Sequence, residues 1–595
     1  MNTKTDIPRP EHPRPDFKRD TFYNLNGTWE FAFDDGLVGI REGWYKPGHH
    51  LDREIVVPFC YQCAASGIGP TDEIHPVLWY RRSFRVPKEM KGRRILLRFG
   101  AVDHEATVYL NGCAVGDHRG GYTPFALDVT DYLVDGENDL CVRVEDWPDP
   151  TQIRGKQYWH RGLIACWYTP VSGIWQTVYL EAVGELAVDY IHVTPDIDQG
   201  LAMAEIMLNQ EPKAGTHLSL QASLNETVIC EVTGTARDRM TKLALDLNTH
   251  VKDDPVQLWS PEHPVLYDLR VTVLCDGEVQ DQVHTYFGMR KVEVRNGAVY
   301  LNHCRIYQRL VLDQGYWEGT LLTPPSENAI REDLQWTLDL GFNGARKHQK
   351  IEDPLYYYWA DKMGVLVWGE LPSPYEFSDE TVENMTQTML EFIRRDFNHP
   401  SIITWVPLNE SWGVRMIATN RRQQMTASML YYLTKAADGT RLCSGNDGWE
   451  QLQTDICALH DYGAEKKVLK NHFADRESVE RNGCDVHRCY VDGYTPTGKE
   501  AFMVTEYGGI AFSNIGIQGE MGGMETWGYH DKVKDEAEFI TRYRGTTDAI
   551  REIPYNQGYC YTQLTDVMQE INGLLTPERT SKIDPEQIRR INRDP

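Results

Sequence analysis

The sequence predicts a multidomain protein with an N-terminal jelly-roll β-sandwich, an immunoglobulin-like β-sandwich and a C-terminal (β/α)8 TIM barrel. The chain has 595 residues, too many for one hydrophobic core, so about three or four domains are expected. Short alternating strands fill the first half, and strand-like runs alternate with helical patterns from about residue 289. We place the domains at residues 1–182, 183–288 and 289–595.

Residues 1–182 have the pattern of antiparallel β-strands. Residues 79–86 and 94–99 alternate apolar with polar side chains, which is typical of strands with one buried face. Asn111-Gly112 follows the strand-like run 106–110 and is a strong signal for a hairpin turn. Short strands with regular turns favour a sandwich of the jelly-roll type.

Residues 183–288 continue the strand pattern, for example at 218–224 and 267–274. About one hundred residues with several such strands is the size of an immunoglobulin-like sandwich. No side chain in it suggests chemistry, so we expect this domain to be a spacer.

The barrel prediction depends on eight strand-like runs that alternate with helices. Ile330, Leu334 and Leu338 lie four residues apart, as on one face of a helix. In a (β/α)8 barrel the chemistry occurs at the carboxyl ends of the strands. The eight runs are residues 305–312, 341–346, 364–369, 402–406, 441–445, 456–460, 502–505 and 558–564.

Composition excludes some partners and suggests a compartment. With 61 basic and 87 acidic side chains the net charge is -26, and such a surface repels the phosphates of nucleic acid.

No apolar run is long enough to span a membrane, and the N-terminus has no apolar signal segment, which predicts a cytoplasmic protein. Thirteen cysteines, an odd number that we take to be scattered without C-x-x-C pairs, are consistent with reduced thiols and argue against a disulfide framework or structural zinc. The flat faces of two β-domains make a homo-oligomer possible.

Two glutamates, Glu410 and Glu506, end the fourth and seventh predicted barrel strands. A buried carboxylate is costly unless it is used or satisfied, and a pair of carboxylates is what cleavage of a glycosidic bond requires. We expect the apolar surroundings of Glu410, near Trp405 and Trp412, to raise its pKa and suit it to the acid/base role. Glu506 would then be the ionised nucleophile.

Three other interpretations remain open. The two glutamates could be members of buried salt bridges. A barrel that binds carbohydrate without cleaving it is a second possibility, although such a protein would be expected to lose one glutamate. A metal-dependent hydrolase is the third. His348 and His460 could serve as ligands, but no His-x-His pair accompanies them.

Two segments of the sequence are characteristic, Asn398-His-Pro-Ser-Ile-Ile-Thr-Trp-Val-Pro-Leu-Asn409-Glu410 and Thr505-Glu506-Tyr-Gly. The first resembles the acid/base segment and the second the nucleophile segment of glycoside hydrolase family 2, the β-galactosidase, β-glucuronidase and β-mannosidase group. The domain order matches too, so the resemblance covers nearly the whole chain. It implies a retaining exo-β-glycosidase without a cofactor, in which the two carboxyl groups lie about 5–5.5 Å apart.

The resemblance and the strand ends together suggest further residues that bind substrate. Arg346 and Tyr462 would contact Glu506, while Asn409 would hold a sugar hydroxyl. The loop 154–160 is basic and aromatic where related β-galactosidases have a sodium-binding aspartate, so we expect no metal. The other candidates are His348, Asp447, Trp449, Glu450, Trp527 and Trp159, with Tyr561, Gln563 and Asp566 as possible residues of the pocket floor.

Several sugars remain candidates for the substrate of this protein. β-Galactosidase is favoured because it is common in the family. β-Glucuronidase is less favoured because the Asn-x-Lys feature of that group is not evident near the C-terminus, where Lys582 and Arg593 stand in another context. β-Mannosidase, β-glucosidase and arabinopyranosidase activities are further alternatives, and the expected partner is an oligosaccharide or glycoside.

Overall fold

The computed structural model describes residues 7–248, 255–483, 487–513, 520–521 and 524–593. Two β-sandwiches precede a (β/α)8 barrel, so the predicted fold class is confirmed.

The first sandwich packs a four-stranded sheet, in the order β1-β12-β5-β9, against a six-stranded sheet, in the order β3-β2-β4-β10-β7-β8. The predicted hairpin turn is present, because Asn111 and Gly112 both have positive φ angles, of 53° and 82°. A short helix, α1 (Gly39–Glu42), lies between β2 and β3. The strands are β1 Phe22–Asn24, β2 Gly27–Phe33, β3 Arg53–Val57, β4 Val77–Phe84, β5 Arg94–Phe99, β6 Val102–Asp103, β7 Glu105–Leu110, β8 Cys113–Arg119, β9 Phe125–Asp128, β10 Asn138–Glu145, β11 Gly173–Ile174 and β12 Val178–Val183.

The second sandwich has a three-stranded and a four-stranded sheet, ordered β13-β14-β17 and β16-β15-β18-β19. Its alternating apolar residues form one closed core. The strands are β13 Val188–Asp196, β14 Leu201–Leu208, β15 Thr216–Leu224, β16 Thr227–Thr235, β17 Met240–Asp246, β18 Tyr267–Cys275 and β19 Glu278–Phe287.

Eight strands form the barrel sheet, in the order β27-β26-β25-β24-β23-β32-β29-β28. All neighbours are parallel, and each predicted run contributes one strand. β27 and β28 are the two edges, so the barrel is nearly closed. The strands are β23 Gln308–Asp313, β24 Gly344–Lys347, β25 Leu366–Glu370, β26 Ile402–Val406, β27 Leu442–Cys443, β28 Ile456–His460, β29 Ala501–Gly508 and β32 Asn556–Thr562.

Helices surround the barrel and bury the apolar stripes that the sequence shows. In α2 the side chains of Ile330 and Leu334 are buried, and Ser326 caps the helix by accepting a hydrogen bond from the Ala329 amide. Small antiparallel strands complete the domain at β20 Val292–Arg295, β21 Ala298–Leu301, β22 Cys304–Arg305, β30 Glu520–Met521 and β31 Met524–Glu525. The helices are α2 Glu327–Asp339, α3 Pro354–Met363, α4 Asp379–Asp396, α5 Arg421–Ala437, α6 Lys466–His472, α7 Arg476–Asn482, α8 Glu536–Arg551 and α9 Pro585–Arg593.

The first sandwich and the barrel share one hydrophobic core. Trp175 and Tyr168 of the first sandwich belong to the same buried cluster as Leu355 and Trp405 of the barrel. Thr323, in the loop after β23, donates a hydrogen bond to the Trp175 carbonyl at 2.8 Å. The sandwich therefore fixes the position of its loops over the barrel.

The cysteines of the described chain are all free thiols. The expectation that the chain has no C-x-x-C pair is wrong, because Cys60 and Cys63 have this spacing, which also occurs in some zinc sites and redox pairs. In the structure both are buried, and the Cys63 thiol donates to the Cys60 carbonyl oxygen at 3.2 Å. Among the residues that the structure describes, no helix is both long and apolar enough to cross a bilayer.

Candidate active site

The two predicted carboxylates meet at the carboxyl end of the barrel. Glu506 lies in β29, and Glu410 lies four residues beyond β26. Glu410 and Ser411 both have positive φ angles, of 51° and 59°, a costly conformation for residues other than glycine. Hydrogen bonds hold this turn, because the Glu410 amide donates to the Asp447 carbonyl and the Asp447 amide to the Leu408 carbonyl, each at 2.8 Å.

The two carboxyl groups are close enough to act on one bond. One oxygen of Glu410 and one of Glu506 lie within 4.8 Å of each other. The Glu506 side chain is 4% exposed and the Glu410 side chain 19% exposed. Inverting glycosidases need about 6.5–9.5 Å between these groups and retaining enzymes about 5–5.5 Å. An oxygen–oxygen approach within 4.8 Å is compatible with the retaining spacing.

Arg346 organises the charges beneath Glu506. Its guanidinium is fully buried and donates to Glu506 Oε1 and to Glu370 Oε2, both at 2.8 Å. It also donates to Asn409 Oδ1 at 2.5 Å and lies 3.2 Å from Asp447 Oδ1. Burial works against the charged form, but the three carboxylates raise the Arg346 pKa well above its usual value. Arg346 therefore places a permanent positive charge 2.8 Å from Glu506 Oε1.

Tyr462 contacts Glu506 from the other side. Its hydroxyl donates to Glu506 Oε2 at 2.5 Å. Its ring stacks on Tyr529, with ring centroids 3.3 Å apart and an interplanar angle of 4°. Burial and the Glu506 charge raise the pKa of Tyr462 well above its usual value, so this phenol remains a donor. Both oxygens of Glu506 are therefore held in place.

The surroundings of Glu410 are charged rather than apolar. His460 Nδ1 lies 2.7 Å from Glu410 Oε1, and His460 Nε2 lies 2.8 Å from Asp447 Oδ1. Burial alone would lower the pKa of His460, but the Glu506 charge and the bonds to Asp447 and Glu410 raise it to about 10. His460 is therefore an imidazolium that donates to both carboxylates.

The expected rise in the Glu410 pKa is wrong, because this pKa is lowered. Burial raises this pKa, but the hydrogen bond from His460 and the charges of His460, Lys156 and Arg346 outweigh burial and lower it. Trp405, expected nearby, instead donates to Asp438 and packs on Phe392 within the core. The proton next to Glu410 is held by His460.

Glu410, His460 and Glu506 are also the only cluster in the described chain with a geometry that could hold a metal ion. A metal would require the unprotonated nitrogen of His460, whereas the pKa of about 10 keeps that nitrogen protonated near neutral pH. Hydrogen bonds already satisfy the three groups. The absence of a metal stays a prediction.

His348 lies beside Glu506, as the strand position suggested. Its Nδ1 is 3.1 Å from Glu370 Oε1 and 3.9 Å from Glu506 Oε1. Burial, reinforced by the charges of Lys156 and Arg346, lowers the His348 pKa well below its usual value. This imidazole is neutral and can donate to or accept from a sugar hydroxyl. The amide nitrogen of Asn409 has no partner in the described chain and is a second free donor.

In the segment after β27, three residues that were predicted to bind substrate have partners within the protein. Asp447 is completely buried, and Ser444, Arg346 and His460 occupy its oxygens. It therefore lies beneath the pocket and has no capacity for a sugar. Glu450 accepts a hydrogen bond from Ser411 Oγ at 2.7 Å. Trp449 stacks on His487, with centroids 3.8 Å apart.

The candidates on and after β32, and Trp527 between β31 and α8, have structural partners. Tyr561 is buried against Tyr543 and Tyr507, so the pocket-floor role predicted for it is wrong. Gln563 bonds Gln314 and Asn572, and Asp566 pairs with Lys582 at 2.8 Å. Trp527 donates from Nε1 to the Ala165 carbonyl at 2.9 Å and so anchors a loop of the first sandwich.

An aromatic wall comes from that first sandwich. Trp159 lies 4.7 Å from Tyr375, and Trp167 stacks on Trp412 with centroids 5.1 Å apart. Trp159 is therefore close to the barrel mouth, within a cluster of four aromatic rings. Such a wall offers flat apolar faces at the barrel end that carries Glu410 and Glu506.

Lys156 is the site residue that sequence reasoning missed. It is 7% exposed, and its ammonium lies 4.9 Å from the centre of the Trp412 ring. Burial lowers its pKa, but the charges of nearby Cys166, Glu570, Glu410 and Glu506 outweigh this and raise it. No described carboxylate lies within ion-pair distance. The basic character of loop 154–160 was the available signal.

Comparison with known protein families gives three matches along the chain. They are glycosyl hydrolases family 2, sugar binding domain, at residues 22–182; glycosyl hydrolases family 2 at residues 186–290; and the TIM barrel domain of the same family at residues 292–582. The chain belongs to glycosyl hydrolases family 2.

Relatives within this family differ in their named activity. A β-galactosidase of Thermoanaerobacter pseudethanolicus is 30% identical over 403 residues, 65% of this chain and 50% of the relative. A putative β-glucuronidase of Formosa agariphila is 29% identical over 340 residues, 56% of this chain and 40% of the relative. A β-glucuronidase of Streptococcus agalactiae is 27% identical over 427 residues, 65% of this chain and 66% of the relative. The chain thus matches between 40% and 66% of the length of these family 2 relatives.

A solved structure shows the same fold. The β-glucuronidase from Ruminococcus gnavus in complex with D-glucuronic acid superimposes with a TM-score of 0.77 at 17% identity, covering 96% of this chain and 98% of the other. At this identity the likeness shows the family 2 architecture alone.

Proposed function

We propose that this protein is a retaining β-glycosidase that removes a terminal β-linked sugar, with uronic acid glycosides of the β-glucuronide type as preferred substrates. The observation that carries the proposal is the Glu410–Glu506 pair, in which one oxygen of each carboxyl group lies within 4.8 Å of the other. The two carboxyl groups have different hydrogen-bond partners. Arg346 and Tyr462 hold Glu506 as an anionic nucleophile. His460 supplies a proton next to Glu410.

In the first step a Glu506 oxygen attacks the anomeric carbon, and the bond to the leaving oxygen breaks. His460 passes its proton across the 2.7 Å contact to Glu410, and Glu410 gives that proton to the leaving oxygen, so that Glu410 ends the step as a carboxylate and His460 as a neutral imidazole. Exclusion of water by the bound sugar weakens the solvation of the Glu410 carboxylate and favours its protonated form. The products are a glycosyl ester on Glu506 and a free alcohol.

In the second step water replaces Glu506. The ester has no negative charge, so the charge that opposed ionisation of Glu410 is gone and its carboxylate accepts a proton from water. The resulting hydroxide attacks the anomeric carbon from the face opposite the ester, and the configuration of the substrate is retained. Arg346 and Tyr462 again stabilise the departing carboxylate of Glu506.

Lys156 is the residue that supports a preference for a uronic acid. Its ammonium is buried in the pocket without an ion pair in the described chain, and its charged form is favoured. Burial raises the pKa of Glu570 in spite of the Lys156 charge, so this neighbour only partly neutralises the lysine. A substrate carboxylate would satisfy the ammonium with a charge-assisted hydrogen bond. Relatives named as β-glucuronidases are consistent with this assignment.

A β-galactosidase is the second candidate. A relative of that name is 30% identical over 65% of this chain, and neutral His348 and the free Asn409 amide suit hydroxyl groups. In this case Lys156 would donate to hydroxyl oxygens.

The test is to compare hydrolysis of p-nitrophenyl β-D-glucuronide and p-nitrophenyl β-D-galactopyranoside by the wild type and by Lys156→Met. We expect the wild type to prefer the glucuronide. Lys156→Met should lose about 10- to 100-fold in kcat/KM on it, as expected for one charged hydrogen bond, with little change on the galactoside. Lys156→Arg is the matched control that keeps the charge. Faster cleavage of the galactoside, or an equal loss on both substrates, would rule out the uronic acid assignment.

A further inference from the structure

A cleft of about 490 Å³ lies between the first sandwich and the barrel. Its walls are the loop around residues 62–72, the loop 163–169, and the loops that follow β23 and β32. These barrel loops follow the carboxyl ends of their strands, so the cleft opens on the same barrel face as Glu410 and Glu506.

The cleft is separate from the catalytic pocket but shares one wall with it. Leu163 and Thr169 line the cleft. Between them in the chain, Cys166 interacts with Lys156, and Trp167 stacks on Trp412, both on the catalytic side. Neither catalytic glutamate lines the cleft. The loop 163–169 is thus a partition between two neighbouring spaces.

The lining of the cleft combines apolar faces with carboxylates at its rim. Leu163, Leu321 and Met568 supply apolar surface, while Asp72, which also pairs with Arg161 at 3.3 Å, and Glu318 are exposed acceptors. The lining includes no lysine or arginine. Apolar surface with hydrogen-bond acceptors fits a neutral sugar ring, which has apolar C–H faces and hydroxyl donors. The acidic rim disfavours an anion.

The volume of the cleft is sufficient for sugar units. A cleft of 490 Å³ falls in the range of about 300–1,000 Å³ that is typical of ligand sites.

We propose that this cleft binds neutral sugar units on the leaving-group side of the substrate, so that the natural substrate is an oligosaccharide rather than a simple glycoside. This inference rests on the proposed glycosidase activity. The terminal sugar would occupy the pocket at Glu506, and the chain beyond the cleaved bond would cross the edge of loop 163–169 into the cleft.

Ala64 allows the cleft to be blocked without changing the catalytic pocket. It lines the cleft and is exposed in a 3-10 turn, so an indole there would fill the space with little effect on folding. Ala64→Trp is the blocking variant and Ala64→Ser the matched control. Two substrates are compared, an aryl β-glucuronide and a trisaccharide with a terminal β-glucuronosyl unit on a neutral disaccharide.

For Ala64→Trp we expect at least a tenfold rise in KM for the trisaccharide, with kcat/KM for the aryl glycoside within twofold of the wild type. Ala64→Ser should match the wild type on both. Equal effects on the two substrates, or no effect on either, would overturn the inference.

A binding experiment separates this inference from the activity itself. Saturation-transfer NMR on Glu506→Gln with cellobiose, maltose and xylobiose as neutral probes should give signals for at least one disaccharide, and adding Ala64→Trp should remove them. If no disaccharide binds, or if the blocked variant binds equally, the cleft is not a sugar site. If the wild type cleaves no glycoside while a disaccharide still binds through the cleft, the proposed activity fails and the cleft would serve free oligosaccharides.

Discussion

At the scale of single residues, the different roles proposed for Glu410 and Glu506 follow from their different hydrogen-bond partners. Glu506 is fixed by Arg346 and Tyr462, whereas Glu410 shares a proton with His460. The His460 pKa is raised from about 6.5 to about 10. Its stabilising contribution to folding is therefore fully present below pH about 6.5 and is lost as the pH rises through about 10.

His460→Gln tests the proposal that His460 holds the proton that Glu410 transfers. In the wild type the Glu410–His460 pair keeps its proton up to a pH of about 10. In the variant, which lacks the imidazole, Glu410 alone must hold this proton. We expect the alkaline limb of the kcat/KM profile to move to lower pH, by on the order of 2 units. His348→Gln is the matched control, because His348 is neutral and should leave this limb in place. An unchanged limb in His460→Gln would contradict the pairing.

Glu410→Ala tests the acid/base role. General acid catalysis contributes about 10²–10⁴-fold, so substrates with poor leaving groups should lose this much in kcat/KM. Activated aryl glycosides should still form the Glu506 ester. Added azide should then restore turnover by attacking that ester to give a β-glycosyl azide, which NMR would identify. Glu450→Gln, a nearby carboxylate outside the pair, should behave as wild type. Absence of the azide product with full activity on all substrates would refute the assignment.

At the scale of elements, a loop of the first sandwich completes a site that the barrel strands begin. Gln157 is fully buried, and its amide donates to Asp103 Oδ2 at 2.9 Å and to the Tyr122 hydroxyl at 3.0 Å. Its oxygen accepts from the Val171 amide at 2.6 Å. These bonds position the adjacent Lys156 over the pocket.

Gln157→Leu should reduce activity without removing any group near the substrate. The change leaves buried partners unsatisfied, at about 1–3 kcal/mol each, and releases the loop that carries Lys156. We expect kcat/KM for the glucuronide to fall several-fold, mainly through KM, together with a lower unfolding midpoint. Gln152→Leu is the control, since Gln152 is also buried but its Oε1 accepts no hydrogen bond in the described chain. Equal kinetics for both variants would show that loop 154–160 has no positioning role.

At the scale of the whole molecule, the first sandwich and the barrel form one packing unit. Trp175 is fully buried in the cluster that joins them, and its Nε1 donates to the Gly121 carbonyl at 2.7 Å. Tyr168 reaches across to Glu570 with a hydrogen bond of 2.5 Å. The two domains should therefore unfold together.

Trp175→Ala tests this coupling by calorimetry. Removing a buried tryptophan costs about 3–5 kcal/mol, so the common transition of sandwich and barrel should move to lower temperature. Activity, followed in parallel, should disappear at the same temperature. Trp147→Ala, at a position that is 45% exposed, should leave the midpoint nearly unchanged. A barrel transition that stays in place while a separate sandwich transition moves would show that the domains are independent.

The local pattern of the sequence was sufficient for much of the architecture. Alternating residues specified the sandwich strands, and eight buried runs specified the barrel, because side-chain periodicity reflects which face of an element is buried. The strand ends then placed Glu410, Glu506 and Arg346 at one edge, as parallel strands require.

The sequence by itself determined the fold class, the family resemblance and the two carboxylates. The tertiary structure decided the rest. Lys156 lies 254 positions before Glu410 in the numbering, and only the packing of the first sandwich brings its charge into the pocket. Within the barrel, the meeting of separate strand ends buries Asp447 beside Arg346 and makes His460, rather than an apolar wall, the neighbour of Glu410. Protonation depends on such distances between side chains from separate elements, and local periodicity contains no information about them.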